Sequence, residues 1–346
     1  MHLAIRSLVV ALFCLPCLCA AAPPIGTFTI VDGDAIVIRG AQKFAAAEGL
    51  PVNADDIVHT ADATRIARVE LADGSALDLG PASRVWLRPR LPELRLAQLP
   101  DLYLAEGWVK VTTPAARKLA LASPRAELAD LAGVAVARVA DNGSFLFMEV
   151  GSAQLVERRH GQVQHSRRLK EGEAFDRRDG DAGAVISRPA PDMIDTMPRS
   201  FADSLPLRAA RFEGSKVEPE SPPQAVGYHD VASWINAEQA LRPAFVQRFA
   251  ARAGDPSFRA PLIAELRSHP EWTRVLFPEQ VVRKRPAPAT VIAARPRTSR
   301  SRRRRCRRAL RSATLSPCAA RAATPTASRC GPGKLASAER DKESSS

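Results

Sequence analysis

The stretch VAVARVADNGSFLFMEV, residues 134–150, alternates apolar and polar positions on both sides of Asp141-Asn142-Gly143. Alternation with a period of two puts every second side chain on one face of a strand. Asn-Gly tolerates the positive φ angles of a two-residue primed turn, so the stretch reads as a β-hairpin. Working outward, the pattern recurs. Thr27–Val31 and Ala35–Ile38 flank Asp32-Gly33, Ile66–Leu71 and Ala76–Leu79 flank Asp73-Gly74, and Ala153–Glu157 and Val163–His165 flank His160-Gly161. The spacing predicts an antiparallel, mainly β unit over 23–186.

Outside those limits the pattern changes. Residues 1–22 place Arg6 before an apolar run, Leu8–Leu18, and then Cys19-Ala20-Ala21-Ala22 ahead of Pro23. A short apolar run ending in small residues is the pattern of an export signal. The expected mature chain is therefore periplasmic and begins near Pro23. No apolar run reaches the roughly 18 residues of a spanning helix, so no transmembrane span is expected in it. Residues 187–227 hold seven prolines and read as a linker. From 228 to 285 the period becomes helical. Leu241, Phe245 and Phe249 share one helix face, Val231, Trp234 and Ile235 precede them, and Pro243 and Pro261 stand where helices can begin. A third helix is predicted over 261–268 and a last turn over 270–277. So small a helical unit has a marginal core and is expected to pack on the β unit or on a partner.

Charge is distributed unevenly. The chain has 50 Lys and Arg against 37 Asp and Glu, a net charge of +13, and residues 286–346 hold thirteen Arg and two Lys against three acids. The basic character thus belongs to the tail. Arg302–Arg305 and Arg307-Arg308 lie among Ser, Thr, Ala and Pro, with too little apolar surface to fold, and 286–346 is predicted to be disordered. Three readings of the tail stand side by side, one of them a featureless tail with no role. In the other two it is an arm contacting an anionic surface, each basic residue adding about 1 kcal/mol, or residues 289–346 are the out-of-frame product of a GC-rich gene. Export argues against nucleic acid as a partner.

Chemistry-bearing patterns are sparse. The six cysteines fall in the signal (Cys14, Cys17, Cys19) and the tail (Cys306, Cys318, Cys330), leaving the body without a disulfide or a thiolate. The six histidines form no HExxH and no i, i+4 pair, and no nucleophile elbow, phosphate loop or dinucleotide fingerprint occurs. Asp55, Asp56 and Asp73 lie beside turns, where an acid usually bonds its own backbone. His59 sits on a strand end, a setting for a solvated or hydrogen-bonded side chain. No catalytic residue, metal set or cofactor is expected, and an enzyme is disfavoured. Trp86 and Trp108 fill a core or form a sugar-stacking platform, and the core is the preferred reading. Arg158-Arg159, Arg167-Arg168 and Arg177-Arg178 form a basic strip or a solvated face interleaved with Glu157, Glu171, Glu173 and Asp176. The solvated face is preferred.

The β unit is also internally doubled, and its ordered segments resemble the FecR domain, the periplasmic sensing part of regulators that accompany TonB-dependent iron uptake. The first half carries Asp56-Ile57-Val58-His59-Thr60 and the run from Asp73, Gly74 and Ser75 to Pro81 and Ser83. The second carries Glu106 to Val111 with Gly107, Val150 to Val156 with Gly151, and Leu169 to Gly172 and Glu173. The resemblance implies a β-rich module that acts by protein contact, these positions being structural. Signalling members place a cytoplasmic segment and a membrane helix before this domain, whereas here it closely follows an export signal. The expected function is therefore a non-catalytic binding or scaffolding module of the cell envelope, its partner an envelope protein or cell-wall component. A regulator of sigma-factor signalling is the alternative. A glycan binder is a further one, marked by Trp86 and Trp108 exposed on one face.

Overall fold

The computed structural model describes residues 23–89, 99–159, 162–215 and 217–279. The expected export signal, the basic tail and the His160-Gly161 dipeptide lie outside the described residues.

Chain order begins with β1 (Gly26–Asp32), β2 (Ala35–Arg39), β3 (Gln42–Ala45), β4 (Pro51–Val52), β5 (Ile57–Thr60), β6 (Ile66–Leu71), β7 (Ala76–Leu79) and β8 (Arg84–Leu87). Three long strands follow, with a short one among them: β9 (Leu102–Thr112), β10 (Leu119–Ala122), β11 (Ala126–Ala140) and β12 (Gly143–Arg159). Then come β13 (Gln162–Lys170), β14 (Ala174–Arg178) and β15 (Ala184–Ile186). The fold is mainly β, as the alternation predicts.

Each long strand changes neighbours part-way along. Residues 109–112 of β9 pair with β7 and its residues 102–106 with β8. The end of β11 pairs with β9 and its beginning with β10. The start of β12 pairs with β14 and its end with β13. A glycine with positive φ marks each change: Gly107, Gly133 and Gly151. Gly133 and Gly151 stand opposite each other. A Cβ on either would lie 2.1 Å from a carbonyl oxygen of the other strand, an approach only glycine permits.

The sheet thus turns a corner and encloses one core. Leu102, Leu104, Val109 and Val111 of β9 belong to it, with Val58, Val69, Leu77 and Val85 from the first half. The intervening residues face outward. After a short helix, α1 (Pro191–Thr196), come α2 (Tyr228–Ile235), α3 (Arg242–Phe249) and α4 (Pro256–Ala264), and Ile57, Trp86 and Tyr103 share a cluster with Trp234 of α2, Phe245 and Phe249 of α3, and Phe258 and Leu262 of α4. On the other outer face Trp108 and Val136 pack on Phe201.

Four expectations are corrected. First, β1 and β2 do not form a hairpin. β1 pairs with β6 and β2 with β5, because Asp32-Gly33 turns the corner itself, with Gly33 at φ +111° against Thr64. Second, the 134–150 hairpin forms, but none of Asp141, Asn142 and Gly143 has positive φ. Arg125 braces the turn through the Ala140 and Asp141 carbonyls, and Gly143 is needed where a Cβ would lie 2.8 Å from the Arg177 oxygen. Third, the Pro-rich 187–227 segment contains α1 and two 3-10 turns, Arg199–Phe201 and Ala209–Phe212, and is strapped to the sheet by buried charges. Glu70 accepts the Arg208 and Ala209 N–H groups at 2.8–2.9 Å, Arg68 donates to the Leu205 carbonyl, and Lys110 to that of Phe201. Fourth, the third helix begins at Pro256, where Asp255 accepts the Ser257 N–H, and Pro261 lies inside it. The last turn is α5 (Thr273–Leu276), preceded by the 3-10 turn Pro270–Trp272.

Candidate interaction surface

The motif positions are occupied in building turns. Thr60 Oγ1 donates to the Gly80 carbonyl at 2.6 Å and accepts the Ser83 N–H at 2.8 Å. Ser83 Oγ accepts the Trp108 N–H at 2.9 Å. Gly107 lies so close that a Cβ there would be 2.4 Å from Ser83 Cα. Thr60, Pro81, Ser83 and Gly107 therefore sit together at the corner between the two halves, and Gly151 makes the same bend in β12. Gly172 and Glu173 carry the bend between β13 and β14, where Glu173 accepts the Lys170 N–H and Gly172 donates to Met148. Asp56 is buried and receives both the Arg39 fork, at 2.7 and 2.9 Å, and the Asn53 N–H. Asp73 accepts the Ser75 N–H across the Gly74 turn. Gly133, equally necessary to the corner, carries no motif and is the residue that sequence reasoning missed.

Histidine and tryptophan are structural too. Trp234 Nε1 donates to His59 Nε2 at 2.7 Å with the rings stacked. Burial, with the nearby Arg84 charge, lowers the His59 pKa to about 4, so the imidazole is neutral and accepts this bond. Trp86 is 2% and Trp108 7% exposed, and they belong to clusters on different faces of the sheet. They form no common platform for a sugar.

The arginines divide. Arg158 is wholly buried and grips Glu238 bidentately at 3.1 Å, with Glu127 3.2 Å from its Nε. Tyr103 donates its hydroxyl to the same Glu238 at 2.7 Å. Strand β12 is thereby tied to the turn after α2. Beside this junction lies a cleft of about 840 Å³ whose wall includes Arg125, Arg158, Arg177, Asp179 and Glu238. Two of its arginines are paired with carboxylates: Arg125 with Asp179, and Arg177 with Glu157. Among the described residues no group of three or more His, Cys, Asp or Glu side chains is arranged to hold a metal.

Arg159, Arg167 and Arg168, by contrast, are exposed on the β12–β13 ribbon. Along β13 every residue except Leu169 is exposed. Among the described residues β13 pairs only with β12. The short β15 covers β14, ending with Ile186 opposite Ala174, and leaves the outer edge of β13 open.

No helix among the described residues is long and apolar enough to cross a membrane. No protein-family model and no curated protein matches the chain. Among solved structures it is similar to two crystal structures, at 2.50 and 1.65 Å resolution, described as a candidate anti-sigma factor from Parabacteroides distasonis ATCC 8503. Identity is 13% and 12%, the match covers 37% of this chain, and the TM-score is 0.30 in both cases. The chain spans 58% and 57% of those chains, less than two thirds of their length.

Proposed function

We propose that the protein is a non-catalytic, exported regulator of FecR-like type, which takes part in sigma-factor signalling by contacting another protein. One observation carries the reading. The residues that make up the FecR-like motif set are spent on corners and turns, while the second half of the sheet ends in β13, a polar strand exposed along its length with one edge unpaired. A surface of that kind suits recognition of a chain rather than turnover of a small molecule. The glycan reading loses its mark, because Trp86 and Trp108 are both buried. A passive envelope scaffold is the rival.

Deleting the gene and restoring it in trans, with transcription read across the genome, separates the two. The regulator reading expects one sigma-factor-dependent set of genes to shift on deletion and return on restoration. Unchanged transcription under both conditions leaves the scaffold.

A further inference from the structure

We infer that the open edge of β13 is a docking strand for an acidic, extended segment of a partner protein, added antiparallel or parallel to the sheet. The inference deepens the regulatory reading and rests on it. A strand with an unpaired edge presents a row of backbone N–H and C=O groups, and an incoming strand satisfies them. Here the edge is nine residues long, enough for several ladder bonds, and solvent-exposed throughout except at Leu169.

Charge selects the occupant. Arg167 lies on one face of β13, and Arg168 and Lys170 on the other, because successive strand residues alternate. The nearest acids do not neutralise them. Glu171 accepts the Gly151 N–H and Glu173 the Lys170 N–H, so both carboxylates are turned into the bend. Glu157 is buried against Arg177. A second copy of the chain would bring like charges together along both faces, and the chain's own basic tail would be repelled in the same way. An acidic segment has its charges matched on both faces.

The probe is the acetylated, amidated nine-residue peptide Thr-Val-Glu-Glu-Val-Glu-Glu-Val-Thr. Two controls carry Lys in place of Glu, or Pro in place of Val. The second keeps the charge and removes N–H groups a ladder needs. With the mature full chain, fluorescence anisotropy should show the acidic peptide binding at least tenfold tighter than either control. Hydrogen exchange should slow at 162–170, and R167E/R168E, folded by circular dichroism, should bind at least tenfold more weakly. Equal binding of the Pro peptide, no binding, no protection of β13 in the wild type, or a dimer through this edge in ultracentrifugation would each overturn the inference. In cells, R167E/R168E restoring normal sigma-dependent transcription to the deletion strain overturns the docking edge while leaving the regulator reading intact. No response to deletion overturns that reading itself.

Discussion

At the scale of single residues, three side chains join parts of the molecule distant in sequence, and each gives a measurable expectation. Ser83 Oγ is the buried partner of the Trp108 N–H. Ser83→Ala leaves that donor unpaired and should cost about 1–3 kcal/mol, read as a lower denaturant midpoint at unchanged slope. His59 is held neutral by burial, its pKa lowered to about 4 from 6.5. The unfolded chain therefore takes up the proton first. Stability is full above pH 6.5 and falls as pH drops towards 4, by about 3 kcal/mol over the window. His59→Gln keeps an acceptor for Trp234 without titrating, so its denaturation curves should lose that slope between pH 6.5 and 4. Arg158 is fully buried between Glu127 and Glu238. Arg158→Met takes the bidentate cation from Glu238 and should destabilise by about 3–5 kcal/mol in chemical unfolding.

At the scale of elements, strands were legible where pairing is local. Ile66–Leu71 with Ala76–Leu79, and the two arms around 141–143, pair as the alternation predicts. The pairing of β1 with β6 and of β2 with β5 was not legible, because it runs across a corner that the Asp32-Gly33 dipeptide resembles only as a turn. The open edge of β13 left a signal that was available: Gln162–Lys170 lacks the apolar alternation of its partner β12. The helical stripe was legible from Leu241, Phe245 and Phe249, all buried against the sheet. Phe245→Ala should cost about 3–5 kcal/mol in melting or denaturant experiments. Hidden entirely was the strap over 197–212, since prolines advertise irregular backbone and say nothing of what a buried Glu70, Arg68 and Lys110 will grip. Limited trypsin digestion checks it. Cleavage after Arg199, Arg208 and Arg211 should be slow in the wild-type protein and at least tenfold faster in Glu70→Ala, where the Arg208 and Ala209 N–H groups lose their acceptor.

At the scale of the whole molecule, the two sides of the corner are joined by shared strands. β9, β11 and β12 each belong to both sides of the corner, and the helices and the strap lock the two outer faces through Arg158, Trp234 and Glu70. Charge adds a second asymmetry: Arg125 and Arg177 beside the cleft are paired with carboxylates, whereas Arg167 and Arg168 of β13 bond only the neutral Gly183 carbonyl and Ser152 hydroxyl. The shared strands have a mechanical consequence. Tension applied to the ends of this body runs along continuous strands through Gly107, Gly133 and Gly151, loading both sides of the bend together rather than one after the other. Stretched between a surface and a cantilever, residues 23–279 should therefore yield in one rupture that releases about 900 Å of chain, where two independently folded halves would give two shorter steps. A protein pulled upon by a partner strand would then hold its shape until it gave way as a unit.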